Sequence, residues 1–570
     1  MAAVSLRHEK KRGAPSLFEY RKRYPLTVAS FGSLGDREAW LDRIWELDAR
    51  WLSERESPRA SAPEAIVRGA PPAHLPVEGE FEIIYAGGQL GLLHAAVMAS
   101  RYKRRVMVFD AGAVGRAERD WNISGDELRG FEGAGLFTQE EIEAAVVNRY
   151  RSGFVKFHDA GSRVKTPPLW MDGVLDVAVE ADHLLALAAR KLLASGNGSV
   201  MAGGLRFVRC YVQPDRVTVE TEDARTKKRS LYAARLFVDA TDSKSTVARQ
   251  LNDGLAVTHV SPTVGTVSRG LARGAEPNQV DFSVGEILVS NEDARDHRQL
   301  IWEGFAGSRE RDEYSTYLFF YDAVDSPADK SLLALFERYF EQLPGYKRAG
   351  AQWRVVRPVF GYVPSFHPRS LMGRKKRTAA ERVMLVGEAT GLSTPVTFGS
   401  VGTHVRNLPR LTHLLELALK ADLLDAASLS EISADVPRVA QASGLAEFLR
   451  PTPRSAPSTV NETLNAVMAA LHSLDERVRR ELFQDRMTFN ALKRLLGRTF
   501  KLYPRIFQRV REHFGARGAF WWLAQIASAA FSERRAGKDL PEKNHGEDAA
   551  QEFARCLALY KNRSGADDHR

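Results

Sequence analysis

Apolar residues recur at helical spacing early in the chain. Trp40, Leu41, Ile44, Trp45, Trp51 and Leu52 predict an amphipathic helix over about 36–54, with the Trp stripe read as core packing. A Pro-, Ala- and Ser-rich stretch over 55–79 reads as a linker. The period then changes. Phe81-Glu82-Ile83-Ile84-Tyr85 and Val106-Met107-Val108-Phe109 are compact strand-like runs on either side of a helical run. Gly173 to Ser195 reads as a loop entering a helix, with Asp182 as N-cap and Leu184, Leu185, Leu187 and Leu192 on the apolar face. Strands are predicted near 204–211, 215–221 and 231–239. Residues 255–360 hold several β-like runs, including Tyr317 to Tyr321 and Trp353 to Val356, and read as an inserted sheet. Val383 to Val386 is a short buried strand ending in a glycine turn. Beyond about 403 the pattern is helical through 535, and a charged tail contains one helical stretch near 549–561. No internal repeat is evident.

Chemistry sharpens this outline at three places. In Ala86-Gly87-Gly88-Gln89-Leu90-Gly91 a strand runs through a glycine turn into a helix, and Asp110 ends the next strand 19 residues after Gly91. That order predicts a dinucleotide-binding βαβ unit. Gly88 would let backbone approach a diphosphate, Gly91 would bring helix close to strand, and Asp110 would accept from a ribose diol. Ala86 takes the place of the first glycine. The second place is Arg382 to Gly391, where a buried strand meets Gly387-Glu388-Ala389, the arrangement with which large FAD-binding folds meet the ribityl chain and the flavin. Glu388 stands where many flavoproteins carry Asp. The alternative for Glu388 is an acid favoured by a helix dipole alone. Leu236 to Ser245 is the third, a strand and turn closing the nucleotide domain, with Thr241-Asp242 where flavin monooxygenases prefer Asp-Gly. The order of the three predicts bound FAD.

These readings predict an α/β fold with an FAD-binding Rossmann-like domain, an inserted β-sheet substrate domain and a C-terminal helical region. The boundaries are an N-terminal extension 1–79, a discontinuous FAD domain 80–250 plus 375–410, a β-rich insertion 251–374, helices 411–535 and a tail 536–570.

Composition narrows the class. The chain has 570 residues, enough for two or three domains. Cys210 and Cys556 are the only cysteines, which excludes a disulfide framework and a cysteine-rich metal site and fits a reducing compartment. No apolar run follows the basic residues Arg7, Lys10, Lys11 and Arg12, so no cleaved secretory signal is expected. The net charge of +10 is uneven: Lys493 to Arg517 holds eight Lys/Arg and one acid, Glu512. Fifteen uncharged residues follow, Gly518 to Ser532, including Phe520, Trp521, Trp522, Leu523, Ile526 and Phe531. That run is shorter than the roughly 20 residues of a membrane span. It suits either a helix lying on an anionic membrane surface or a solvated basic helix followed by a buried one. Nucleic acid is the weaker reading, because no binding module accompanies the charge.

Several segments resemble the Cru-type lycopene cyclases, within the wider lycopene cyclase and geranylgeranyl reductase group of flavoproteins. They are Ala86 to Gly91, Arg119-Asp120-Trp121-Asn122-Ile123-Ser124 with Glu127-Leu128, Ile301 to Phe305, Ser315 to Phe319, Val359 to Ser365, and Gly391 to Gly402 with Arg406 and Leu408 to Leu411. The resemblance extends in order from about 80 to about 510. It implies redox-neutral, acid-catalysed ring closure of lycopene, with reduced FAD supplying negative charge and NAD(P)H as its reductant. It also implies a cytoplasmic protein that meets a membrane to reach its substrate. Such chemistry needs a carboxylic acid kept protonated by apolar surroundings. Glu303, between Trp302 and Phe305, is the candidate, its alternative being a surface acid on a helix; Asp312 and Glu313 are further candidates. Pro395, Phe398, Gly399 and Gly402 would shape the loop over the isoalloxazine ring. The cofactor-binding set is therefore Ala86, Gly87, Gly88, Leu90, Gly91, Asp110, Gly387, Glu388, Pro395, Phe398, Gly399 and Gly402. His183 and His404 belong to no cluster with ligand spacing, so no metal is expected. A flavin-dependent prenyl or carotenoid reductase, a monooxygenase, or a flavin- and carotenoid-binding protein without turnover are the rival classes.

Overall fold

The protein is described by a computed structural model over residues 13–56, 64–117, 119–242, 245–255, 257–366, 376–391, 400–433, 444–535 and 547–562. Two large sheets organise it. The first runs Ile66–Arg68, Leu205–Val212, Val217–Asp223, Arg229–Asp239, Val77–Ala86, Val106–Asp110, Val200–Gly203. Val383–Leu385 joins beside the C-terminal half of Arg229–Asp239. Four strands at its centre are parallel, and their pairing sets Asp239 against both Ala86 and Leu385, and Ala86 against Phe109. The three sequence motifs thus end at one rim of the sheet, where doubly wound α/β folds build ligand sites.

Parallel strands are covered on both faces, so their residues are apolar without alternation. Ile83, Ile84 and Tyr85 are each fully buried. The helix Leu90–Ser100 is buried from Leu90 to Ala99. It shares one core with Ala181–Leu193 and Ser400–Ala421.

The second sheet is mostly antiparallel: Asp322–Ala323, His259–Leu271, Glu313–Phe319, Ile301–Ala306, Val284–Val289, Ser152–Lys156, Leu169–Met171, with the long strand Ala349–Ser365 also on His259–Leu271. Two of its strands, Ser152–Lys156 and Leu169–Met171, come from within the 80–250 stretch. Val284–Val289 recruits Ser152–Lys156 by parallel pairing across more than a hundred residues, a long-range partnership that local pattern does not encode.

The N-terminal helix Arg37–Glu56 packs on this sheet's far side with Leu332–Tyr346. Trp51 stacks on Tyr362 at 4.5 Å. Asp48 accepts from Tyr362 Oη at 2.7 Å and from the Leu332 N–H at 2.8 Å, tying the extension to the start of Leu332–Tyr346. The 55–79 stretch supplies the edge strand Ile66–Arg68. Toward the C-terminus, Thr459–His472, Glu476–Phe483 and Phe489–Leu502 share a core with the opposite face of the second sheet. Ala549–Asn562 returns to pack through Phe553 and Cys556 beside Ser400–Ala421. Among the described residues no helix is long and apolar enough to cross a membrane.

Candidate active site

The glycine turn is built by close backbone packing. Gly87 has φ 112°, and a Cβ there would lie 2.2 Å from the Ala240 carbonyl oxygen. A Cβ on Gly91 would meet Ala240 Cβ at 2.8 Å, so helix and neighbouring strand end touch. The buried Ala86 accepts at its carbonyl from Ala240 N–H at 2.8 Å. A Cβ on Gly88 would meet Val114 Cα at 2.9 Å, within the loop after Val106–Asp110. Asp110 accepts from the N–H groups of Gly88 and Gly112, both at 2.8 Å. An ionised carboxylate has about four acceptor positions, so two remain. The helix Leu90–Ser100 starts without a side-chain cap, leaving N–H groups and the positive dipole end at the rim.

Gly387, at φ 63°, turns the chain over Leu90, whose Cδ1 lies 3.0 Å from where a Gly387 Cβ would be. Gly387–Thr390 is a short 3-10 turn. Burial raises the Glu388 carboxyl, Arg119 opposes this from 4.0 Å, and Asp242 adds to it. Asp239 is buried and accepts from Ser245 Oγ at 2.6 Å and Thr241 N–H at 3.0 Å, which shapes the intervening turn.

Gly402 lies in the first turn of Ser400–Ala421, not in a loop, and a Cβ there would overlap the Glu127 carboxylate. It makes room for a buried ion pair, Arg406 Nη1 to Glu127 Oε1 at 2.7 Å, which the sequence does not reveal. Pro395, Phe398 and Gly399 lie outside the described residues.

Glu303 sits on the strand Ile301–Ala306, not on a helix. Alternation sends Trp302 to the opposite face, where it stacks on Tyr346 at 4.3 Å. The aromatic company of Glu303 is therefore Tyr317, directly opposite in register, and Phe305, stacked 5.8 Å from Tyr317. Burial pushes the Glu303 carboxyl up from 4.5 to about 7, opposed by Asn122. The Asn122 amide satisfies two carbonyls, Leu175 at 2.8 Å and Val177 at 3.3 Å, when its NH2 is turned toward them.

A second raised carboxyl, Asp120, shares its tyrosine neighbours with Glu303. Asp120, buried, lies 3.6 Å from Arg357, and its Oδ2 has no hydrogen-bond partner among the described residues. Burial lifts it to about 6, Arg357 opposing. Tyr150 and Tyr317 each feel the charge of both Asp120 and Glu303. Arg357, from the long strand Ala349–Ser365, carries no motif signal. The other candidate acids are committed elsewhere: Asp312 to Arg273 and the Gly270 N–H, Glu313 to Arg269 and Arg311.

His404 is buried with both ring nitrogens unpartnered among the described residues, and its ring lies 6.4 Å from His94. Burial lowers His404 to about 4 and His94 to about 3. Metal-ligand types meet elsewhere, at His413, Glu552 and Cys556, where Sγ is 3.8 Å from Nε2 and Glu552 is shared with Arg555.

No protein-family model matches the chain, and no curated protein matches it. Solved structures do. The chain is similar to the halogenase PltM at TM-score 0.52 and 16% identity, covering 79% of this chain and 96% of that one. The same halogenase in complex with phloroglucinol and FAD aligns at TM-score 0.50 and 14% identity, with the same coverage. A geranylgeranyl bacteriochlorophyll reductase-like protein from Thermoplasma acidophilum aligns at TM-score 0.49 and 12% identity, over 76% of this chain and 99% of that one. The chain thus shares its fold with this halogenase, one of whose solved complexes contains FAD.

Proposed function

We propose that this chain is a flavin-dependent cyclase that closes an end ring on a membrane-dissolved carotenoid, lycopene, without net redox change. The observation that carries the reading is Glu303, a carboxyl pushed up to about 7 on a sheet face beside Tyr317 and Phe305. Near neutral pH it holds a proton it can give to a terminal alkene carbon. The resulting carbocation closes on the neighbouring double bond, and the Tyr317 and Phe305 rings offer π faces to it. Asp120 is raised less, to about 6, so it is the ionised member and suits removal of the proton that ends the reaction.

FAD suits the residues at the strand ends. The uncapped start of Leu90–Ser100 would offer N–H groups to a diphosphate, Asp110 keeps acceptor positions for a ribose, and Glu388 would accept from a ribityl hydroxyl. Reduced FAD would supply anionic charge beside the developing cation, and NAD(P)H would serve only to reduce it.

Expression in a lycopene-accumulating bacterial host, with the pigments resolved by chromatography, tests the reading. New γ- or β-carotene is expected. Unchanged lycopene beside flavin-loaded soluble protein would refute it. NAD(P)H oxidised stoichiometrically with product would assign the site to a reductase or monooxygenase instead.

A further inference from the structure

We infer that the outer surface of the C-terminal helices Phe489–Leu502 and Ile506–Arg535 docks on an anionic lipid bilayer. Packed helices present polar residues outward, and this surface departs from that rule. Leu502, Phe507, Phe520 and Leu523 are exposed, Phe507 by 65% and Phe520 by 67%. Between and beside them stand five exposed cations, Lys493, Lys501, Arg505, Arg511 and Arg517, which carry no ion pair among the described residues. The single acid of the segment, Glu512, is engaged by Arg509. Trp522, by contrast, is buried against Phe514 and Phe448, so it anchors the helix rather than the surface. Gly515, at φ 67°, bends Ile506–Arg535 between Phe507 and Phe520.

Cations draw the surface to acidic headgroups, and large apolar side chains enter the interface once it is there. A nucleic acid or an acidic protein would use the cations and leave the apolar residues in water. The location also has a use. Phe489–Leu502 buries Ala491, Leu492 and Leu495 in the core that holds Ile301 and Phe319, from the strands of Glu303 and Tyr317. The docking surface and the face carrying Glu303 thus border one shared core, in which Phe489–Leu502 packs on Thr459–His472. That the bilayer delivers substrate here rests on the cyclase reading; the docking itself rests on the surface.

The test is sedimentation of the full chain with vesicles of phosphatidylcholine, alone or mixed with phosphatidylglycerol. The variants are Lys501→Gln with Arg505→Gln and Arg511→Gln, and Phe507→Ser with Leu523→Ser. The parent is expected to pellet with the mixed vesicles and not with the neutral ones. Each cation near an acidic bilayer changes partitioning about fivefold, so the triple variant should bind about 10²-fold more weakly. The apolar variant should be stripped by salt that leaves part of the parent bound. Parent protein that stays in solution, variants that pellet like the parent, or retention on nucleic acid in place of vesicles would overturn the inference. Turnover of lycopene dissolved in detergent separates the two claims. Turnover there without vesicle binding overturns docking alone, and vesicle binding without turnover supports docking and counts against the reaction.

Discussion

Replacing Glu303 by Gln should inactivate the protein and at the same time stabilise it in alkaline solution. The carboxyl is held at about 7 rather than 4.5 by loss of water around it. At pH 7 about half of it carries a proton, against about 0.3% for an ordinary glutamate. A pKa displaced upward for an acid means the folded state binds the extra proton, so folding is undisturbed below 4.5 and penalised as pH rises toward 7 and beyond. At about 1.4 kcal/mol per pH unit, the penalty reaches about 3 kcal/mol above the folded-state value. Gln has nearly the same shape and no charge, so Glu303→Gln should remove that penalty. Thermal unfolding of both proteins at about pH 5 and about pH 8 gives the comparison: near-equal midpoints at the lower pH, and a variant higher by a few degrees at the upper one. Turnover should drop by about 10²–10⁴-fold, the usual worth of a general acid. Midpoints that differ equally at both pH values would refute the claim that the folded protein holds Glu303 as a neutral acid. Undiminished turnover would remove it from the chemistry.

Other outcomes follow from the same geometry. Arg406→Ala leaves Glu127 buried without its partner and should cost about 3–5 kcal/mol, read as a lowered unfolding midpoint. Gly91→Ala should weaken both flavin retention and stability, and Ala240→Gly added to it should restore them, because the two Cβ atoms would otherwise sit 2.8 Å apart; the flavin-to-protein absorbance ratio reads this. Burial keeps His404 neutral down to about 4, so its stability contribution is whole above 6.5 and is lost as pH falls through that window. His404→Leu should therefore flatten the acid limb of a stability profile without breaking a hydrogen bond found among the described residues.

Local sequence determined a good deal here. Glycines followed by a helix, and apolar runs closed by Asp110, Asp239 or Gly387, announce strand ends and turns, because such conformations admit few residue types. Strand and helix periods likewise placed the Trp-bearing N-terminal helix and the helical C-terminal region. What the sequence left open was decided by partners far along the chain. Which aromatic rings surround Glu303 follows from the strand's alternation and its register with Glu313–Phe319, so Tyr317 stands where Trp302 was expected. Asp120 and Arg357, 237 positions apart, meet only because the strands that carry them fold over one sheet face. Gly402 looked like a loop glycine until Glu127 appeared in the space beside it. The basic, Trp-bearing segment was ambiguous for the same reason: composition records how many apolar residues a helix has, and only tertiary packing decides that Trp522 goes inward while Phe507 and Phe520 stay outside.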